Sequence, residues 1–209
     1  MKSSIFLVVV IALLSACVTG SKDGESNDAN GSEAEAVYEP ASIDEAALRE
    51  EVEALGTDHV KIAFLRNILT EDQRVRNEEI EANQLHGYNS KAHQQATHNV
   101  MDMDAANLKR VDIFTDVYGA PQINSVGRMQ SEATWLVVHH APGTDAHEKY
   151  YPILYKAWQN DQISGTNFTM YLNRWYERIS GERHMMEGGY TDEEEVKELL
   201  ELLNLKSVR

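Results

Sequence analysis

The spacing of apolar residues constrains the fold of this chain more than any other feature of its sequence. From about residue 41 onward, apolar positions recur at intervals of three and four, as in Leu108, Val111 and Phe114. This spacing matches the 3.6 residues of a helical turn and places such side chains on one helix face. No segment shows the sustained two-residue alternation that is typical of a half-buried strand. The sequence therefore predicts an all-α domain, with a minor irregular or β segment at about residues 120–126.

Capping residues, glycines and prolines predict where the helices begin and end. Residues 42–45 and 191–194 have the Ser/Thr-x-x-Glu spacing of a capping box, and residues 70–73 have the related Thr-x-x-Gln spacing. Glycines and prolines supply the stops, and Pro152 predicts a bend. The predicted helices cover residues 42–56, 60–69, 70–85, 102–117, 127–141, 145–160, 168–179 and the segment from 191 onward.

The N-terminus has the pattern of a secretory signal that ends at a lipid-accepting cysteine. Ile5–Leu14 is an unbroken apolar run of ten residues, which is shorter than the roughly 20 residues that span a bilayer. It leads into Ser15-Ala16-Cys17, which resembles the end of the bacterial lipobox. The alternative is an ordinary signal peptide with a chance cysteine. We predict a signal peptide at residues 1–16 and lipidation of Cys17, the only cysteine of the chain, which can then form no disulfide.

Residues 17–40 have the composition of a tether. They are rich in Gly, Ser, Asn, Ala and acidic residues and hold too little apolar surface to fold alone. We therefore predict a lipidated, disordered acidic tether at 17–40 and a helical globular domain at 41–209. Val18 follows the cysteine at a position where Asp would favour the inner membrane. In a Gram-negative envelope this points to the periplasmic face of the outer membrane.

Net charge limits the partners of the domain. The chain has 34 acidic and 19 basic residues, a net charge of -15. The first 40 residues contain six of the acidic and two of the basic ones, which leaves the domain at -11. Such a surface repels phosphate backbones and anionic lipid. We expect no nucleic-acid partner and a membrane contact through the lipid anchor alone.

Two predicted helices carry polar residues on apolar faces. His140 falls on the face of Val137, and Asp104 and Asn107 fall on the face of Val111. A buried imidazole can act as general acid or base, bind a metal, or only form a hydrogen bond in the core. Asp104 and Asn107 can orient an imidazole or a water molecule, and they can equally serve helix packing alone.

The other candidate residues are less specific. His139 is predicted about 100° around the helix from His140, at the edge of any site or outside it. Arg76, one turn from Gln73, can clamp a carboxylate or phosphate, whereas the alternatives are a surface ion pair and a helix cap. Tyr171 and Arg174 suit ligand stacking and helix packing equally. The remaining histidine spacings do not match common helical zinc sites, and we predict no metal and no cofactor.

In their order along the chain these pieces resemble a bacterial family named domain of unknown function 6624. The similarity covers about residues 60–190. Its pieces are D-Q-x-x-R at 72–76, D-x-x-N at 104–107, G-x-P at 119–121, V-G at 126–127, H-A at 140–141 and Y-L-x-R at 171–174. The resemblance places functional emphasis on Gln73, Arg76, Asp104, Asn107, His140 and Arg174, and it implies no known activity.

The chain departs from the family pattern at four places. The family has Gln at His139, Asp at Pro142, Asp at Asn173, and a Q-x-Y-G-T-Q stretch near residues 183–189. If the family is enzymatic, these changes remove carboxylates and glutamines from its site.

These observations predict a class of protein and one alternative to it. We expect a membrane-tethered lipoprotein of the cell envelope whose domain binds a small ligand or a protein partner through a polar pocket. Gln73, Arg76, Arg174, His139 and Tyr171 would contact the ligand. The alternative is an envelope hydrolase with His140 as general acid and base, oriented by Asn107 or Asp104.

Overall fold

A computed structural model describes residue 38 and residues 42–186 and 188–206 of the chain. Over these residues the only regular elements are helices, which confirms the predicted all-α class. They are α1 (Glu45–Glu53), α2 (Asp58–His86), α3 (Lys91–Tyr118), α4 (Ile123–Val126), α5 (Arg128–Ser131), α6 (Ala133–His140), α7 (Asp145–Gln159), α8 (Gly165–Ser180) and α9 (Asp192–Leu202). Within the same ranges, none of the helices has the length and apolarity needed to cross a bilayer.

The predicted signal peptide and Cys17 lie outside the described residues, as does nearly all of the predicted tether. Tyr38, which the sequence assigned to the tether, stacks on His98 of α3 with ring centroids 4.0 Å apart. The folded unit therefore includes Tyr38, three residues before the predicted boundary at residue 41.

Several helix boundaries follow the predicted signals. Gly119 ends α3 with a positive φ of 78°, a backbone conformation that glycine adopts without steric cost. Thr191 and Glu194 form the predicted capping box of α9. Pro152 lies inside α7, as predicted.

Other boundaries were predicted wrongly. Thr70 begins no helix, because α2 runs without interruption from its cap at Thr57, and its buried stripe continues from Ile68 to Val75. The helix predicted from residue 102 begins at Lys91, behind an N-cap at Ser90. The helix predicted at 127–141 is divided into α5 and α6 at Glu132, and the segment predicted as irregular contains α4.

The core lies between the α2–α3 hairpin and the later helices. α6 packs against both α3 and α8, and α9 packs on α8. Aromatic residues of α7 and α8 form its centre, where Tyr150, Phe168 and Tyr171 are fully buried. This arrangement brings the middle of α2, the middle of α3 and the end of α6 together.

Candidate functional site

Four polar side chains from α2, α3 and α6 form one hydrogen-bonded group, which we call the polar cluster: Asp72, Arg76, Asp104 and His140. Asp72 is its centre and is only 1% exposed. Its carboxylate accepts hydrogen bonds from His140 Nδ1 at 2.9 Å and from the neighbouring Gln73 Nε2 at 2.8 Å. A buried carboxylate is tolerated only with such partners.

Arg76 links the two carboxylates of the polar cluster. Its Nη2 donates to Asp72 Oδ1 at 3.2 Å and also donates to Asp104 Oδ1. Asp72 and Arg76 are four residues apart on α2, which is the spacing that brings an acid and a base together on a helix face. Asp104 enters from α3, one turn before the buried Asn107. The guanidinium thus offsets the negative charge of both carboxylates.

His140 is held by one ring nitrogen and left open at the other. Its Nδ1 faces Asp72, and its side chain is 18% exposed. Among the described residues its Nε2 has no hydrogen-bond partner, and that atom is not sealed from solvent. When a carboxylate holds Nδ1–H, Nε2 carries the lone pair of the neutral ring. His140 can then accept a proton or a hydrogen bond from an incoming molecule.

The two carboxylates have different proton affinities. Burial raises the pKa of Asp104 to about 6, against the opposing charges of Arg76 and His140. Burial acts on Asp72 in the same direction, but the hydrogen bond and charge of His140, together with Arg76, outweigh it and lower the pKa of Asp72. Paired carboxylates separated in this way can take different roles, one remaining ionised and one exchanging a proton near neutral pH.

The polar cluster also contains potential metal ligands. Asp72, Asp104 and His140 each offer a ligand atom, and these atoms lie within 4.8 Å of one another. Two carboxylates and an imidazole suit a divalent transition metal. Arg76 already lies between the two carboxylates, and the cluster therefore has a balancing cation of its own.

His139 is more deeply buried than its neighbour His140. It is 5% exposed and packs edge-on against Trp135, with ring centroids 5.9 Å apart. Burial lowers the pKa of His139 to about 3. His139 is therefore a neutral core imidazole outside the polar cluster, in a place that does not suit the ligand contact expected of it.

Asn107 and Asp104 share the buried face of α3 that the sequence predicted. Asn107 is 1% exposed, and both polar atoms of its amide lack a partner among the described residues. The group that holds His140 is Asp72, in place of the Asp104 or Asn107 that we predicted. The sequence did contain a signal for Asp72, because it falls on the buried stripe of α2 four residues before Arg76.

Two other predicted ligand contacts lie apart from the polar cluster. Tyr171 is fully buried, and its hydroxyl donates to the main-chain oxygen of His147 at 2.6 Å. Tyr171 is thus a core residue with no surface open to a ligand, which corrects its predicted role. Arg174 pairs with Glu177 on its own helix at 2.9 Å, with both side chains 35% exposed.

Sequence reasoning overlooked His147, which is fully buried and stacks on Tyr171 with ring centroids 5.5 Å apart. Burial, with Arg178 and Arg174 nearby, lowers the pKa of His147 to about 4. A folded-state pKa below the unfolded value of 6.5 contributes stability above pH 6.5 that is lost as pH falls toward 4.

We expect His147→Phe to escape this loss. Its free energy of unfolding, relative to that of the wild type, should therefore be about 1 kcal/mol higher at pH 5.5 than at pH 7.5. Urea unfolding at both pH values measures the difference, and an equal offset at both would contradict it.

Asn173 explains one departure from the family pattern. Its amide donates from Nδ2 to the main-chain oxygen of His184 at 2.9 Å, and its Oδ1 accepts from the His184 N–H at 3.0 Å. An aspartate at this position offers no donor. Asn173 therefore fastens the segment after α8 to the helix.

We expect Asn173→Asp to release this segment and to lower the free energy of unfolding by about 1 kcal/mol, because a partly buried main-chain oxygen loses its donor. Limited trypsin digestion would then cleave faster at Arg183, which is exposed. The matched control is Asn167→Asp, whose side chain makes no hydrogen bond among the described residues. Equal cleavage rates in both variants would show that the Asn173 amide does not hold the segment.

Comparisons with known proteins give no identification. No family model, no curated protein and no solved structure matches the chain. The resemblance to the bacterial family of unknown function therefore rests on the motif order alone and stays a prediction. The class of the protein has to be argued from its own residues.

Proposed function

We propose that this chain is a lipid-anchored protein of the cell envelope whose helical domain binds a small ligand at the polar cluster. The observation that carries the ligand site is His140, which is fixed through Nδ1 by a buried carboxylate and open at Nε2. A side chain fixed in this way binds without losing much rotational freedom, which favours affinity. Arg76, with its side chain 25% exposed, adds donors beside it.

The motif order supports the same residues independently of their geometry. Asp72, Arg76, Asp104 and His140 all stand at motif positions of the family that the sequence resembles. They come from three separate helices, and hydrogen bonds join them in one cluster. A purely structural network needs no solvent-facing ring nitrogen, and that feature favours a ligand.

The second candidate is hydrolysis of a small envelope substrate. It is favoured by the carboxylate on His140 Nδ1, because that arrangement orients the ring and stabilises the imidazolium formed when Nε2 takes a proton. His140 would remove a proton from an attacking water molecule and return it to the leaving group. Asp72 would act as a positioning residue.

A thermal-shift screen of small acids, amides and amines on the mature chain tests the binding proposal. We expect hits that raise the Tm of the wild type and of His59→Ala, a control histidine that is exposed on α2, and that fail to raise the Tm of His140→Ala. Hits that stabilise His140→Ala equally, or a screen without hits, would contradict the proposal. Assays of the same variants on ester and amide substrates test the hydrolase candidate.

The membrane anchor needs its own test. We expect Cys17→Ala to remove the protein from the membrane fraction, or to leave the signal peptide uncleaved, because the thiol that would carry the lipid is gone. Unchanged membrane association together with normal cleavage would exclude a lipid anchor at Cys17.

A further inference from the structure

A groove of about 620 Å³ lies between α2 and the α5–α6 segment. Its walls include Leu69, Met129, Trp135 and Leu136. The volume falls within the roughly 300–1,000 Å³ of small-molecule sites, and these four side chains give the groove an apolar wall, as in such sites. Glu132 also lines the groove, and burial raises the pKa of its carboxyl, which favours the neutral form. The indole Nε1 of Trp135 is buried without a hydrogen-bond partner, although the side chain lines the groove. The groove is thus suited to the apolar part of a ligand.

The groove reaches the polar cluster. Gln73 lines it and also donates to Asp72. On α6, Leu136 of the groove wall is four residues before His140, and residues with that spacing are neighbours on a helix surface. A ligand in the groove can therefore contact Gln73, next to the polar cluster.

The other end of the groove carries an unpaired cation. Arg66 is exposed and forms no ion pair or hydrogen bond with any described residue. Arg74, which also lines the groove, is held by Glu71 and Glu78. Arg66 and Gln73 are seven residues apart on α2, a rise of roughly 10 Å. In a domain of strongly negative charge, a free arginine beside an apolar groove favours an anionic head group.

We propose that this groove binds an anionic amphiphile, a medium-chain acyl carboxylate, with its head at Arg66 and its chain against Trp135 and Leu136. The inference goes beyond the proposed function, because the groove is a site of its own beside the polar cluster.

Displacement of the fluorescent probe N-phenyl-1-naphthylamine from the mature chain tests this proposal. We expect decanoate, below its micellar concentration, to displace the probe and butyrate to fail. Met129→Glu, at a groove residue that is 66% exposed and so safe for folding, should weaken decanoate at least tenfold, because it places a like charge on the apolar wall. Met185→Glu, 76% exposed and outside the groove, is the matched control and should change nothing.

Arg66→Gln tests the contribution of the ligand's head group separately from that of its acyl chain. We expect it to weaken decanoate about fivefold, the effect of losing one exposed ion pair, and to leave decanol unchanged. Arg183→Gln, at another exposed arginine, is the control. No displacement by decanoate, or no loss in Met129→Glu, would overturn the proposal. If decanoate failed in this way while polar ligands still required His140, only the amphiphile proposal would be excluded, and the proposed function would stand. If decanoate bound and no ligand depended on His140, the proposed function would fail instead.

Discussion

Replacing Asp72 with alanine is expected to lower the free energy of unfolding by about 3 kcal/mol, because three donors lose a buried, charged acceptor. Asp72 is the shared acceptor for Gln73, Arg76 and His140. The change removes all three bonds around a carboxylate that is itself only 1% exposed. Urea unfolding at pH 7.5 measures the effect.

The matched control for this change is Asp58→Ala on the same helix. The Asp58 side chain is 64% exposed and pairs with Lys61 only at 3.7 Å. Exposed pairs of this kind contribute at most about 1 kcal/mol. Similar losses in the two variants would show that Asp72 is no more than another helix-surface acid.

Replacing Arg76 with methionine is expected to cost about 2 kcal/mol of unfolding free energy at pH 8, because two largely buried carboxylates then face each other without a cation. The loss should shrink at pH 5. Without Arg76 the pKa of Asp104, already raised by burial, rises further. A folded-state pKa above the unfolded value of 3.8 adds stability below that value, and this stability is lost as pH rises through the folded pKa.

Unfolding of Arg76→Met at pH 8 and pH 5 measures this dependence. Arg49→Met is the control, because Arg49 pairs with Asp116 on the surface, with side chains 46% and 57% exposed. Its effect should be small and independent of pH. A loss in Arg76→Met that grows toward acid pH would contradict the assigned charges.

Helix positions could be predicted where apolar period and capping chemistry agreed. Gly119 and Thr191 marked real ends, because a positive φ and a capping box are local properties. Thr70 misled us, because a capping pattern has no effect where the buried stripe of α2 continues through it. The first turns of α3 were missed because Ala96 and His93 form a stripe too weakly apolar to recognise.

The spacing of apolar residues did not show which face of α6 points to solvent. The helix restarts at Ala133 after the break at Glu132, and most of its circumference is buried, including Thr134, Val138 and His139. The helical repeat of apolar residues then says little about which of the two histidines faces outward. His140 belongs to the hydrogen-bonded cluster, but its partner there is Asp72 and not the Asn107 or Asp104 that the sequence suggested.

The role of Asp72 depended on tertiary structure. In the sequence it stands on the apolar stripe of α2, four residues before Arg76, with an acid of the same kind, Glu71, next to it. Its bond to His140 follows from the packing of α6 against α2, which no local pattern encodes. Arg76 and Asp104 could be named as candidates, whereas their contact required the fold.

The most direct test of the polar cluster is the tautomer of His140. Long-range proton–nitrogen NMR spectra at pH 8, assigned with His140→Gln, report which ring nitrogen carries the hydrogen. Because Asp72 accepts from Nδ1 at 2.9 Å, the neutral ring should carry its hydrogen on Nδ1 and leave Nε2 free, and Asp72→Ala, which removes the acceptor, should abolish this preference. A hydrogen on Nε2 in the wild type, or a tautomer that is unchanged in Asp72→Ala, would contradict the account.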